Sequence, residues 1–321
     1  MHRLRSINSL TLFAFLCITL LERAALASTE AQGARAEKII IDTDIGSDID
    51  DAFAVALALK SPQVEILGIS TASGDTAARA RILDRMLAAS GFEKIPVAVG
   101  APTRLPFGAP PIGAQTRFGE HDPFSAVAHP AAVDFILREI REFPGQITLI
   151  AIGPLTNVGA LIDRDPQAFR KLERVVMMGG SIDAGYDASI KGPVPEYNVV
   201  ADIPAAQKLF QAGVPIDVLP LDSTIHLQLD EVKRAALFSQ GTPLTDSLAI
   251  LYLMWGGTTP ILYDAMAVAF VLDPGLCPVE QRHIVVDEKG ITRTESGESN
   301  ARVCLHSDPD AFFHFYMARL H

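Results

Sequence analysis

Five aspartates, Asp42, Asp44, Asp48, Asp50 and Asp51, fall within the ten residues DTDIGSDIDD, directly behind the apolar run Ile39-Ile40-Ile41. Carboxylates gathered this closely repel one another unless something positive sits among them, and a hard divalent cation is the economical partner. Calcium accepts about six to eight oxygens from carboxylates, carbonyls and water, whereas magnesium prefers a stricter octahedron. The local alternative is helix capping, because Asp48 to Asp51 stand where a first helical turn favours acidic side chains. Capping accounts for one or two aspartates, not for five.

The elements that must hold these groups are legible on either side. Lys38 to Asp42 reads as a buried strand, Gly46 allows a sharp turn, and Ala52, Val55, Ala56 and Leu59 recur at helical spacing from about Asp50 to Lys60. The alternation continues with Val64 to Thr71 and Thr76 to Ala89, then Ile147 to Ile152 and Leu155 to Asp163, with further strands at Val175 to Met178 and Pro215 to Leu219. Strands alternating with helices predict an open, doubly wound, mostly parallel α/β sheet of Rossmann-like build, with helices on both faces. In such sheets ligands bind beyond the carboxyl ends of the strands, where the aspartates lie. After about residue 225 the pattern turns more helical, with two short strands at His283 to Val286 and Ile291 to Thr294 before a C-terminal helix. Gly100 to Gly119 reads as a long surface loop, a length that lids often have.

Composition bounds the class. Of 321 residues, 49% are apolar and 20% charged, enough for one large core or two modest ones and unlike a disordered chain. Met1 to Ala27 reads as an export signal: a basic start (Arg3, Arg5), an apolar run from Leu10 to Leu21 and the small-x-small site Ala25-Leu26-Ala27. That apolar run is shorter than the roughly 20 residues of a spanning helix, so no lasting membrane anchor is expected. The mature chain is then expected to be a single domain, 28–321, located in the periplasm or secreted. The formal net charge is −11, and loss of the signal makes it more negative, which argues against nucleic acid as a partner. Cys277 and Cys304 remain after cleavage; in an oxidising compartment they either pair or stay buried and separate.

A D-x-D pair behind an apolar strand would also suit a phosphatase of the haloacid dehalogenase type. Such an enzyme would require a downstream lysine and a paired acidic motif, and would not call for PEYN or IGPLTN. Nearly the whole mature chain instead resembles the inosine-uridine-preferring nucleoside hydrolase family. The likeness is carried by DTDIGSDIDDAFA at 42–54, GISTASGDT at 68–76, LIAIGPLTNVGAL at 149–161, VVMMGG at 175–180, PEYNVVADIPAA at 195–206 and YDAMAVA at 263–269, in that order. The resemblance implies hydrolysis of the N-glycosidic bond of a ribonucleoside, releasing base and ribose. It also implies a Ca2+ ion held by Asp44, Asp51, the carbonyl of Ile152 and Asp264, with Asp44 as general base toward water. The sugar would be held by Asp50, Glu196 and Asn198, with Met178 and Tyr263 also facing substrate. A homodimer or homotetramer is the assembly the family suggests.

The chain departs from the family at several points. Two aspartates, Asp48 and Asp50, compete for the sugar-facing place because the first motif is long. Asp75 stands where an asparagine is common, either as a sugar contact, the reading ranked first, or as a helix cap. Ile190 and Lys191 replace an expected asparagine. Tyr263 replaces a histidine that would protonate the leaving base, and a phenol with a pKa near 10 is a poorer acid. Trp255 is a candidate wall for the base, whereas His121 and His226 read as surface residues. These departures keep open a second function, an exported nucleoside- or ribose-binding protein with the metal pocket but little turnover.

Overall fold

A computed structural model of the chain describes residues 36–103, 113–120, 128–187 and 189–320. The export segment, the middle of the long loop and His121 lie outside the described residues. Glu37–His321 forms one compact unit.

Nine strands build one sheet: β1 (Glu37–Thr43), β2 (Val64–Thr71), β3 (Val97–Val99), β4 (Ile147–Ala151), β5 (Arg174–Met178), β6 (Ile216–Leu219), β7 (Val279–Val286), β8 (Thr292–Glu295) and β9 (Ala301–Cys304). Their order is β3-β2-β1-β4-β5-β6-β9-β7-β8. All pairings from β3 to β9 are parallel, and β7 runs antiparallel to both β9 and β8. The chain leaves β1 toward β2 on one side and leaves β4 toward β5 on the other. The crevice between the carboxyl ends of β1 and β4 is therefore a topological switch point, the place where open α/β sheets bind ligands.

Ile39, Ile40 and Ile41 are all buried, and they alternate between the cores on the two faces of the sheet, which is why this strand is apolar at every position. One face is covered by helices Asp50–Leu59, Thr76–Ala89, Pro243–Trp255, Tyr263–Leu272 and Pro309–Leu320; the other by Ala132–Glu142, Thr156–Arg164 and Ile203–Leu209. Every residue of helix Asp50–Leu59 is buried, as are all but the two ends of Tyr263–Leu272, and the two helices pack on one another. Their alanine-rich sequences suit close approach without a polar face.

The doubly wound reading describes this sheet. Missing from it were β3, β9 and helices Ala132–Glu142 and Ile203–Leu209. The two strands are three and four residues long, too short for periodicity to register, and β9 enters the sheet between β6 and β7 although it is the last strand in the chain. Cys277 and Cys304 are joined in a disulfide, with Cα atoms 5.6 Å apart, tying the turn after helix Tyr263–Leu272 to the end of β9. Among the described residues no helix is long and apolar enough to cross a membrane.

Candidate active site

The first motif is stapled before it can act. Thr43 Oγ1 donates to Asp51 Oδ1, and the Asp44 backbone N–H reaches the same oxygen at 3.2 Å. The end of β1 is thus bound to the first turn of the helix that follows. Gly46 takes φ +103°, which L side chains rarely adopt, so the chain can reverse there. Across the switch point, a Cβ on Gly153 would fall 2.8 Å from the Asp44 nitrogen and 3.0 Å from its Oδ1. Only glycine lets the β4 turn approach Asp44 this closely.

Asp50, Asp51 and Asp264 are buried, and each brings a carboxylate oxygen within 4.8 Å of the others. Asp50 and Asp51 open helix Asp50–Leu59, and Asp264 lies in the first turn of Tyr263–Leu272, so two helix N-termini face the cluster and partly offset its charge. The offset is incomplete. Burial, followed by repulsion from neighbouring carboxylates including Asp44 and Asp48, holds Asp50, Asp51 and Asp264 well above the usual carboxylate range. Burial raises Asp44 as well, and the Arg79 guanidinium opposes that rise. Hard oxygen donors that cannot shed their repulsion are what a divalent cation fits. Asp44 lies outside this triplet but lines the same cavity, together with Ile152. Behind it, burial lifts Asp42 to about 6 against hydrogen bonds from Ser70 and Asn157.

The opposite wall is built by the E-x-N motif. Glu196 caps helix Tyr197–Val200, accepting from the backbone N–H groups of Gly180, Asn198 and Val199 at 2.9, 3.0 and 3.2 Å. Asn198 Nδ2 donates to the carbonyls of Ile152 and Met178, both at 3.2 Å, so one amide joins the ends of β4 and β5. Two of the residues that the resemblance assigned to different tasks, Ile152 and Met178, are held by a third.

The resulting cavity has a volume of about 390 Å³, in the range of small-molecule sites. Asp44, Asp50, Asp51, Ile152, Met178, Glu196, Asn198, Tyr263 and Asp264 all line it. Asp50 is buried at its floor, while Asp48 is exposed at the rim, bonded to its own helix start at Ile49 and to Trp255. Tyr263 is half-buried, and burial with the surrounding carboxylates Asp50, Asp48, Glu196 and Asp264 raises its phenol far above neutrality. Asp75 is not brought to the cavity: it is exposed, and its carboxylate accepts from Ala78 N–H at 2.9 Å, capping helix Thr76–Ala89. Sugar contact, the reading ranked first for it, finds no geometric support in this arrangement. His226 is exposed and stands outside the lining, as does Trp255, which packs 6.1 Å from Tyr252 between ring centroids.

Three contributors went unread. Tyr186 and Tyr197 enter the lining from the loop after β5 and from the centre of the E-x-N motif. Arg79 is fully buried beneath the first motif. Its position was a signal, since it shares a helical stripe with Ile82, Leu83 and Met86, where a cation is out of place unless paired.

A doubly wound sheet with an acidic pocket at its switch point defines a class of α/β enzymes rather than one protein. Comparison with known proteins narrows it. Residues 39–314 match the profile of the inosine-uridine preferring nucleoside hydrolase family, and the chain belongs to that family. It is 31% identical over 271 residues to the pyrimidine-specific ribonucleoside hydrolase RihA of Citrobacter koseri, covering 78% of this chain and 84% of that one. It is 28% identical over 272 residues to uridine nucleosidase 1 of Arabidopsis thaliana, covering 79% and 80%. A plant nucleoside hydrolase structure shares the fold with a TM-score of 0.79 at 24% identity, covering 89% of this chain and 99% of that one. A purine-preferring ribonucleoside hydrolase from Gardnerella vaginalis does so with 0.76 at 24% identity, covering 88% and 98%. The family's members are hydrolases acting on N-glycosyl compounds, and the chain is an enzyme of that kind.

Proposed function

We propose that this protein is an exported, calcium-dependent ribonucleoside hydrolase that releases a free base and ribose. The observation that carries the reading is the convergence of Asp50, Asp51 and Asp264 with Asp44, Glu196 and Asn198 around one cavity. Asp44, Asp51, Asp264 and the Ile152 carbonyl would hold the cation, whose bound state supplies an acidified water and neutralises the cluster. Asp50 is close enough to share in that hold.

The remaining chemistry belongs to the chain. Cleavage of a ribosyl C–N bond passes through an oxocarbenium-like sugar, which negative groups beneath the ring stabilise. Asp44 takes the proton from the attacking water as general base. Asp50, Glu196 and Asn198 grip the ribose hydroxyls, and the three amides that lock Glu196 keep its carboxylate pre-oriented. Tyr263 faces the leaving base as a neutral phenol that orients or stacks rather than delivers a full proton. The two relatives compared by sequence above are a pyrimidine-specific ribonucleoside hydrolase and a uridine nucleosidase, so uridine is the substrate to test first. A nucleoside-binding protein without turnover is not favoured, because the carboxylates that chemistry needs are all in place.

Export is supported by the tripartite N-terminus and by the Cys277–Cys304 disulfide, which suits an oxidising compartment. The reading is tested by incubating purified protein with a panel of purine and pyrimidine nucleosides, with calcium or chelator, and measuring released ribose. Turnover that calcium restores after chelation supports it; no ribose from any nucleoside overturns it. N-terminal sequencing of exported protein should begin at Ser28, and an intact Met1 would sink the export reading.

A further inference from the structure

The turn from Asp44 to Asp48 has no strand or helix to fix it, yet each of its five carbonyls accepts a hydrogen bond from outside the turn. Arg79 Nη1 donates to the carbonyls of Asp44 and Ile45, the latter at 2.9 Å. Gly113 N–H reaches Gly46 at 3.2 Å. Gln115 Nε2 takes Ser47 at 3.1 Å and Asp48 at 2.9 Å. Arg79 also donates through Nε to the Ser73 carbonyl at 2.8 Å and through Nη2 to Ser47 Oγ at 2.9 Å, and its Nη2 lies 3.6 Å from Asp44 Oδ2. Ser73 itself sits at φ +67°, the only non-glycine residue with positive φ among those described.

We propose that Arg79 is a positioning residue for Asp44, fixing both the backbone and the carboxylate of the general base from beneath the pocket. Arg79 is fully buried and does not line the cavity, so it lies beneath the site rather than in its wall. Among the described residues only Lys38 shares its status as a buried cation, and Lys38 pairs with Glu65 near the start of β1. Burying an arginine costs heavily unless its donors and charge are all used, and here Nε takes the Ser73 carbonyl while both Nη groups converge on one turn and one carboxylate. A planar fork can serve two neighbouring carbonyls, a side-chain oxygen and a carboxylate at fixed angles; a lysine ammonium cannot. The inference rests on Asp44 acting as the base in the reaction proposed above.

The role predicts a particular kinetic split. Arg79 touches none of the ribose contacts, so substrate binding should survive its loss while the transition state suffers; it does hold Asp44, one of the residues assigned to the cation, so turnover is read per cation-loaded site. In Arg79→Met, kcat per cation-loaded site should fall about 100-fold, the scale expected for a misplaced catalytic group, and KM for uridine should change less than about threefold, while calcium affinity by titration calorimetry falls about 10-fold as Asp44 loses its support. Arg79→Lys keeps the charge without the fork and should lose about 10-fold in kcat; it decides the matter if the Met variant does not fold. A kcat within about threefold of wild type in either folded variant would overturn the proposal, because a merely structural arginine lowers the folded fraction and not the turnover of each loaded site. Amide hydrogen exchange is read on the same proteins. Exchange at residues 44–48 should quicken at least about 10-fold in the folded variant with the sheet unchanged, and unchanged exchange there would also overturn it. If wild type releases no ribose, the hydrolase reading fails, and the exchange result still decides whether Arg79 holds the turn.

Discussion

The backbone N–H of Asp264 points at Oδ2 of Asp50, 3.4 Å away, although 214 residues separate them in the chain. This contact joins the N-termini of two buried helices and sets two carboxylates against each other at the floor of the pocket. Everything proposed for the site depends on what relieves their repulsion.

The first expected outcome concerns the cation. Asp51→Ala and Asp264→Ala each remove one hard oxygen ligand and should weaken calcium binding by more than about 100-fold, beyond what losing an outer partner of a ligand costs. Turnover should vanish with occupancy. Calorimetric titration beside a ribose-release assay checks this, and a variant that holds one calcium normally would strike that residue from the ligand set.

The second is a dependence on pH. In cation-free protein Asp50, Asp51 and Asp264 have raised pKa values. A raised folded value means that the native state binds more protons than the unfolded chain, so their contribution is full below the unfolded value of about 4 and is lost as pH rises through the folded values. Chelated protein should therefore lose stability from pH 4 upward, while calcium-loaded protein should not. Thermal melts should show the gap between the two widening by more than about 5 °C toward neutrality, and a gap that stays constant would contradict the assigned electrostatics.

A third outcome separates stacking from proton donation at Tyr263. Burial, and after it the surrounding carboxylates, raise the pKa of its phenol, so it is a poor acid at neutral pH. Tyr263→Phe should cost less than about 10-fold in kcat on uridine, and Tyr263→Ala should mainly raise KM. A loss of about 100-fold or more in the Phe variant, with p-nitrophenyl riboside spared, would instead identify the tyrosine as the general acid.

Asn198 gives a fourth. Its amide donates to two carbonyls at once, and Asn198→Asp would turn a carboxylate toward both oxygens. The change should lower stability by about 1–3 kcal/mol and abolish turnover, whereas a purely sugar-binding asparagine would leave the melting temperature unmoved.

The disulfide supplies a fifth. It closes a loop of sequence separation 27, so Cys304→Ala should cost about 3–4 kcal/mol in the chain-entropy account. Denaturant unfolding of the variant, and of wild type with and without reductant, measures it. A reductant-insensitive wild type would mean that the two thiols are not joined.

Local pattern carried a great deal by itself. The polar end of β1, the helix beginning at Asp50, the parallel series of short strands and helices and the ordered motifs are all written in neighbouring residues, because strand and helix periodicity and turn chemistry act over a few positions. What only the tertiary structure decided is which of these groups meet. Helices Asp50–Leu59 and Tyr263–Leu272 are apolar all round and buried almost throughout, so no amphipathic stripe tells which way their first-turn aspartates face. Their packing against one another sends Asp50 to the floor and leaves Asp48 at the rim. Asp75, written in a sugar-contact motif, stays out of the cavity lining, its carboxylate satisfying the first turn of its own helix. The support under Asp44 likewise spans 35 residues from Asp44 to Arg79 and 67 from Asp48 to Gln115, distances that only the folding of the sheet removes.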